Sequence, residues 1–288
     1  MLDFRYHALS LAAVLVALIL GLLLGVAIGD EGLVSRSESN LRRNLSADVR
    51  EARDEAARLR EEIDRRRRYE DATFAPLVAG RLSGRRVTLL FLDERSEPVF
   101  QHVRTAIAPS GGELAFTATL RLPVDLQGIA EAAEGTQYEQ LDDDLLDDLG
   151  RRVGVQLARG GRLVRALRDP LLGSSSGELG PAEAVVVVRT PGERIDDPDQ
   201  RRRGDVLVDG VLDGLRRARV PVVGVEETST DPSQIPWYRE HGVASVDNVD
   251  DVSGRASLVY ALAGSADGAY GVKPTRDALI PDTLVRGP

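Results

Sequence analysis

The chain has 288 residues, enough for one large domain or two small ones with a sizeable core. Its 46 acidic and 37 basic residues give a formal net charge of −9, which argues against nucleic acid as a main partner, because phosphate binding requires a net basic face. Cysteine is absent, which excludes disulfides, thiolate catalysis and cysteine metal sites.

The first predicted element is an apolar helix. No charged residue occurs from Ala8 to Ile28, and these 21 residues at about 1.5 Å each give roughly 31 Å, the thickness of a hydrocarbon core. A secretory signal peptide is the alternative, since Ala27-Ile28-Gly29 fits a small-x-small cleavage site. The apolar region of a signal peptide is usually shorter, so we predict an uncleaved transmembrane anchor over residues 1–30.

The charges that flank this segment predict its orientation. Arg5 and the free amine precede it, while Asp30 and Glu31 follow it, which favours a cytoplasmic N-terminus. Arg42 and Arg43 follow soon after and weaken the bias. We therefore expect a single-pass protein of the cell membrane whose C-terminal domain is extracytoplasmic.

Three glycines share one face of the predicted anchor. Gly21, Gly25 and Gly29 form two overlapping G-x-x-x-G motifs, which allow two helix backbones to approach closely. Glycine is also simply common in membrane helices. We expect a helix–helix contact on this face.

Residues 31–75 predict a helical stalk. Ser37 to Tyr69 contains no proline or glycine, and its apolar residues are spaced 4, 3, 4, 3 and 4 apart, as in a heptad repeat. The predicted seam consists of Leu45, Val49, Ala52, Ala56, Leu59 and Ile63. We expect a parallel coiled coil, with a single amphipathic helix lying on the globular domain as the alternative, and we interpret Arg65 to Arg68 as a solvated helix end.

Residues 76–288 predict a single α/β domain. Apolar runs alternate with amphipathic stretches, a pattern typical of a doubly wound, Rossmann-like parallel sheet. We interpret Gly173 to Gly177 as a flexible loop and the glycine- and proline-rich tail beyond Gly264 as wrapping the surface. The predicted strands are VTLLFLD, ELAFTATL, AEAVVVVR, VPVVGVEE and GVASVDNVDD, and the predicted helices cover Glu97 to Ile107, Gln140 to Leu157, the stretch around Val208 to Leu215, and Ser253 to Leu262.

Polar residues at the carboxyl ends of these strands form a candidate crevice, where open α/β sheets bind ligands. No strand is followed by G-x-G-x-x-G or a P-loop, and the three histidines suggest no Ser/His/Asp grouping. Acids here can bind a hard cation, work as acid and base, or cap a helix, and Asp247 or Asp250 is placed to cap the helix at Ser253. We predict no enzymatic activity, and the metal ligands stay unassigned. The crevice residues are Asp93, Glu226, Asp247, Asn248 and Asp250.

Three further stretches carry a resemblance to a known family, namely DFRYHALSLAAV, VASVDNVDDVSGRASLVYALAG and GAYGVKPTRDALIP. Together they resemble the actinobacterial MctB family of copper transporters. The resemblance covers essentially the whole chain and implies an envelope membrane protein involved in copper efflux or homeostasis. The chain is also similar to related SteB-type proteins, and this similarity implies a cell-division scaffold whose partner controls peptidoglycan hydrolysis. Copper is the only cofactor implied, and it is implied by the resemblance alone.

The residues themselves favour the scaffold over the transporter. Ionisable residues inside the membrane usually indicate an ion pathway, and the single apolar helix carries none. Cuprous ion prefers cysteine and methionine, and the chain has no cysteine and only Met1. We therefore expect a self-associating membrane protein, a homodimer or higher oligomer, that presents a non-enzymatic α/β domain to an envelope protein.

Overall fold

The computed structural model describes residues 4–29, 33–190, 195–264 and 266–286. These residues form two compact units, Met1–Arg68 and Tyr69–Pro288. The first unit is helical, and the second is built around a β-sheet.

Helix α1 (Phe4–Gly29) is the apolar element. Its segment Tyr6–Ala27 has a mean hydropathy of 2.8 and is wholly exposed, so by length and composition it is suited to crossing a membrane. A Cβ atom built on Gly21 or Gly25 meets no atom within 4 Å, and this face is therefore open in the single chain. Asp30 and Glu31, on which the orientation prediction partly rests, lie outside the described residues.

Helix α2 (Leu33–Val78) confirms that the stalk region is helical. The large side chains of the predicted seam are exposed on it, with Leu45 at 61% and Val49 at 41% of their full accessibility. The coiled coil itself stays a prediction. At the other end of α2, Phe74 and Val78 pack into the core of the second unit, and this part of the helix belongs to the α/β domain.

The sheet of the second unit has seven strands in the order β3-β2-β1-β4-β5-β6-β7. All neighbouring strands pair in parallel except β2 and β3, which are antiparallel. The strand order reverses between β1 and β4, which makes this pair the topological switch point. The strands are β1 (Arg86–Phe91), β2 (Glu113–Leu120), β3 (Leu172–Gly177), β4 (Ala184–Val188), β5 (Val222–Val225), β6 (Ala244–Val246) and β7 (Ala269–Tyr270).

Helices cover both faces of the sheet, which confirms the doubly wound α/β fold. Leu90 of β1 faces the core beneath α5 and α8, while Leu89 and Phe91 face the core beneath α3 and α10. This alternation explains why the central strands are apolar on both faces. The helices are α3 (Glu97–Ile107), α4 (Leu126–Ala132), α5 (Asp143–Arg159), α6 (Arg162–Ala166), α7 (Arg168–Leu171), α8 (Pro198–Arg217), α9 (Ile235–Glu240), α10 (Val252–Leu262) and α11 (Asp282–Arg286).

Helices α5 and α8 cross with their backbones in close contact. Gly150 and Gly154 of α5 face Gly210 and Gly214 of α8. A Cβ on Gly154 would lie 2.1 Å from the carbonyl oxygen of Val211, and real Cβ atoms do not approach that closely. The small residues thus let two helices pack backbone to backbone on one face of the sheet.

The structure corrects three predictions about the domain. Gly173 to Gly177 is not a loop but most of β3, because the backbone of β2 provides hydrogen bonds that compensate for its lack of apolar side chains. The tail does not simply wrap the surface: Ala269 pairs with Ser245 and adds strand β7 to the sheet. Helix α5 also begins at Asp143, later than predicted, because the Asp142 side chain accepts from the backbone N–H of Leu145 and caps it.

Candidate functional site: the carboxyl edge of the sheet

The five predicted crevice residues all follow strands at the carboxyl edge of the sheet, but they have different surroundings. Asp93 follows β1, Glu226 follows β5, and Asp247, Asn248 and Asp250 follow β6. Glu226, Asp247 and Asn248 are buried, Asp93 is half-buried and Asp250 is exposed.

Glu226 is the centre of a buried ion pair. Its side chain is 1% exposed, and its carboxylate lies 2.7 Å from the Nζ atom of Lys273, which is 13% exposed. The hydroxyl of Ser233 and the backbone N–H of Gln234 also donate to this carboxylate. Lys273 donates a further hydrogen bond of 2.6 Å to the carbonyl oxygen of Thr230. The charges of Glu226 and Lys273 are therefore both compensated inside the protein.

Asp247 binds the backbone of the same tail segment. One carboxylate oxygen accepts from the N–H of Val272 at 2.7 Å, and the other accepts from the N–H of Lys273 at 2.9 Å. A Cβ on Gly271 would lie 1.9 Å from the first of these oxygens, and Gly271 has φ +138°. The approach of the tail to Asp247 therefore requires glycine at position 271.

The remaining polar residues after β6 shape the loop that leads to α10. Asn248 donates to the hydroxyl of Ser253, and among the described residues no group pairs with its buried Oδ1 atom. Asp250 accepts from the backbone N–H and the hydroxyl of Thr228, at 2.8 and 3.0 Å. Asp251 caps α10, so the prediction that Asp247 or Asp250 would do this was wrong. Asp247 is occupied by the tail and Asp250 by Thr228.

We call this tail attachment, formed by Glu226, Asp247, Gly271, Val272 and Lys273, the tail latch. Its two acids, Glu226 and Asp247, are among the predicted crevice residues, whereas Lys273 is not. The signal was available, because Lys273 is the single lysine among 37 basic residues. A position that retains lysine in such an arginine-rich chain suits the narrow ammonium group and not the wide guanidinium.

A second buried cluster supports the strand ends of β4 and β5. The fully buried Tyr238 hydroxyl accepts from the backbone N–H of Arg189 at 2.8 Å, and burial raises the pKa of Tyr238 above its usual value. The guanidinium of Arg189 contacts the Gln234 side chain and lies 4.7 Å from the centre of the Trp237 ring. This cluster holds Arg189 in place beside the switch point.

Asp93 is the one predicted crevice residue that faces an open cleft. The cleft, of about 870 Å³, lies beyond the ends of β1 and β2 and is also lined by Arg95, Thr119, Arg121 and Ser174. Burial raises the pKa of the Asp93 carboxyl, against the opposing effect of Arg189. Among the described residues, no donor forms a hydrogen bond to Asp93. The crevice is thus divided into a closed part at the tail latch and an open part at Asp93.

Metal-ligating side chains do not gather at this edge or elsewhere in the described ranges, where no group of three or more His, Cys, Asp or Glu residues could hold a metal ion. Each of the two domain histidines has a partner. His102 lies 3.4 Å from Glu227, and His241 contacts Asp209 and the carbonyl oxygen of Trp237.

The fold and these strand ends define the class of protein: a doubly wound α/β protein that carries an N-terminal apolar helix of membrane-spanning length. The chain belongs to the MctB family, whose sequence model, described as "Copper transport outer membrane protein, MctB", matches residues 1–281. No curated protein matches the chain. Membership associates the protein with copper transport and with a membrane at that general level.

Proposed function

We propose that this protein acts in copper homeostasis as a membrane-tethered, non-enzymatic docking scaffold, with its N-terminus in the cytoplasm and its α/β domain outside. The observation that carries the proposal is the tail latch. Glu226 and Asp247, which the sequence offers as ligands at the carboxyl edge, bind Lys273 and the backbone of the protein's own tail. Surfaces for protein partners, and not these carboxylates, are then the means by which the domain acts.

The chemistry of copper supports the same proposal. Cuprous ion prefers thiolate and thioether ligands, whereas carboxylates suit hard cations. The chain has no cysteine, and Met1 is its only methionine. Efflux by the protein itself, which the family description favours, is the second candidate function and requires that the chain bind copper.

A copper titration of the full chain in detergent micelles separates these two functions. We expect no binding of cuprous ion at micromolar concentration in the presence of a competing chelator. In cells, we expect deletion of the gene to change copper content and cross-linking of the full chain to capture an envelope protein. Tight, stoichiometric copper binding would overturn the scaffold proposal in favour of direct carriage.

Self-association is the second part of the proposal, and it rests on the charges beside the α2 seam. With Leu45, Ala52 and Leu59 at the d positions of the heptad, every g position from 48 to 62 is acidic and every e position from 53 to 67 is basic. The g residues are Asp48, Glu55 and Glu62, and the e residues are Arg53, Arg60 and Arg67.

This pattern selects a parallel, in-register pair of helices. In that arrangement each g residue meets the e residue of the next heptad on the partner, so all three g–e contacts join opposite charges. An antiparallel pair would instead place acids against acids and arginines against arginines. Glu62 contacts Arg66 on its own helix at 2.6 Å, but both side chains are at least half exposed, so this contact exchanges easily.

Disulfide cross-linking tests the parallel pair, because the chain contains no cysteine of its own. We expect Ala52→Cys, at a d position, to form a covalent dimer of the full chain on mild oxidation. Ala57→Cys, at an outward b position of the same helix, is the matched control and should stay monomeric on a non-reducing gel. Equal cross-linking of the two variants, or none of either, would contradict the proposed seam.

A further inference from the structure

Strand β3 leaves one edge of the sheet open. It is the terminal strand of the described sheet and pairs with β2 alone. The backbone N–H of Glu178 donates to the carbonyl oxygen of Ala115, which fixes the alternation of the antiparallel ladder. From this register, Ser174 and Ser176 direct their backbone groups towards β2, and Ser175 and Gly177 direct theirs away from it.

The residues of β3 carry none of the side chains that usually prevent strand pairing. Natural edge strands commonly carry lysine, proline or inward-pointing charge. Gly173 to Gly177 reads Gly-Ser-Ser-Ser-Gly, which has no charge, no proline and no bulky side chain. The outward backbone groups of Ser175 and Gly177 are two residues apart, which is the spacing that an added strand requires, and Gly177 ends the strand with φ +83°.

A groove of about 510 Å³ runs beside the open edge. Buried apolar residues form its floor, namely Phe116, Val164 and Leu172. Arg165 and Arg168 stand exposed at its rim, where Glu178 is the one acid among the described residues that line the groove. In a chain with a formal net charge of −9, this groove is a local positive site.

Arg168 lies across the edge and is held there weakly. Its Nε atom donates to the Ser175 hydroxyl at 2.7 Å, and a terminal nitrogen reaches the Ser175 carbonyl oxygen at only 3.5 Å. The second contact is at the limit of a hydrogen bond. A carboxylate would be a stronger partner for this guanidinium than a neutral hydroxyl, and its arrival would free the carbonyl for strand pairing.

We propose that β3 binds an extended acidic segment of a protein partner, which adds to the sheet as an eighth strand. Main-chain hydrogen bonds to Ser175 and Gly177 supply affinity, an apolar side chain fills the groove, and a carboxylate contacts Arg165 and Arg168. This inference rests on the proposed docking role of the α/β domain and specifies the surface and the chemistry of the partner.

A synthetic peptide tests the charge preference. The probe is fluorescein-labelled Thr-Leu-Thr-Glu-Thr-Leu-Thr with an amidated C-terminus. The matched control peptide carries Lys in place of Glu. We expect the full chain in detergent micelles to bind the Glu peptide ~tenfold more tightly than the Lys peptide by fluorescence anisotropy, because the exchange replaces an attraction to two arginines with a repulsion, and tenfold corresponds to about 1.4 kcal/mol. Arg168→Glu should abolish this preference, whereas Arg162→Glu, on the neighbouring turn and outside the groove lining, should retain it.

Backbone methylation of the same peptide tests strand pairing. Methyl groups are placed on the amides of every second residue, in each of the two alternate sets. One set should abolish binding because its amides face β3, and the other should leave binding within ~twofold because its amides face solvent. Equal binding by both methylated peptides, or no binding of either unmethylated peptide, overturns the inference.

Cross-linking in cells separates this failure from a failure of the docking role. A photoreactive residue at Ser176 samples the β3 edge, and one at Asp213 samples the exposed face of α8. Capture of a partner from position 213 but not from 176 would reject the β3 edge and leave the docking role intact. If neither position captures a partner and the chain binds copper tightly, both the β3 edge and the docking role are rejected.

Discussion

At the scale of single residues, the Lys273–Glu226 pair determines how the carboxyl edge of the sheet is used. Two opposite charges removed from water stabilise a fold only when each has well-placed partners, and losing one partner leaves an uncompensated buried charge. Thr230, Ser233 and Gln234 provide the additional hydrogen bonds. The ion pair therefore has two effects: it holds the tail in place, and it closes this part of the crevice.

We predict that Lys273→Met destabilises the protein by about 3–5 kcal/mol, because Glu226 is then buried without its cation. Chemical denaturation of the full chain, followed by the fluorescence of Trp237, measures the change. The double variant Lys273→Met, Glu226→Gln removes both charges and should recover part of the loss. A double variant as unstable as the single one would show that the effect comes from packing and not from charge.

Asp93 gives a prediction about pH. Burial raises the pKa of its carboxyl in the folded state, so the folded protein holds this proton more tightly than the unfolded chain does. The contribution of protonated Asp93 to the free energy of unfolding is fully present below the unfolded pKa of about 3.9. It is lost as pH rises through the raised pKa of the folded state. Asp93→Asn should therefore raise the melting temperature slightly at pH 7, and the gain should disappear near pH 3. A lower melting temperature at pH 7 would show that ionised Asp93 is stabilised by the fold.

At the scale of elements, the closest helix packing lies inside the α/β domain. The sequence predicts G-x-x-x-G packing in the membrane segment, where a Cβ on Gly21 or Gly25 meets no atom within 4 Å in the single chain. The same spacing in α5 (Gly150, Gly154) and α8 (Gly210, Gly214) makes the observed backbone contact. Spacing alone therefore indicates which face of a helix can pack closely, and the partner has to come from elsewhere in the fold.

We predict that Gly154→Ala destabilises the domain by about 1–3 kcal/mol, because its Cβ would overlap the Val211 carbonyl oxygen and force the helices apart. Gly204→Ala, on α8, is the matched control. Its Cβ would lie 3.4 Å from Leu122, an ordinary contact, and alanine favours the helix by up to ~1 kcal/mol. Thermal unfolding of both variants measures the contrast, and an equal effect at the two positions would contradict the packing argument.

At the scale of the whole molecule, the parallel α2 pair would hold two copies of the chain side by side. The predicted g–e contacts, three from the g positions of each helix, are individually weak, since exposed ion pairs contribute about 0.2–1 kcal/mol each. Their main effect is on orientation, because the alternative arrangement places like charges together. Two of the six seam residues are alanines, so the apolar contact between the two helices is small.

Charge reversal provides a prediction at this scale. Changing Arg53, Arg60 and Arg67 to Glu should convert the full chain to monomers, as measured by light scattering in detergent. Adding Asp48→Lys, Glu55→Lys and Glu62→Lys to the same chain restores opposite charges and should restore the dimer. The loss of the dimer in the triple Arg→Glu variant should be smaller at high salt, because salt screens the repulsion between exposed charges. A reversed variant that stays fully dimeric would remove the role proposed for these charges.

The sequence alone determined the features that depend on near neighbours. The apolar run of α1 and the apolar runs of the central strands follow from composition, and the helical seam of α2 follows from periodicity, because each apolar side chain has a fixed direction within its own element. The acids at the strand ends were likewise predictable, since strand boundaries place them at one edge of the sheet.

Tertiary structure decided what those residues contact. Gly173 to Gly177 became a strand because the distant strand β2 supplied its hydrogen bonds. Lys273 reached Glu226 across 47 positions of the chain, and α5 met α8 across about 60. Such contacts depend on which distant segments the fold brings together, and local patterns carry no information about that choice. The difference between an open crevice and a closed one was therefore visible only in the folded molecule.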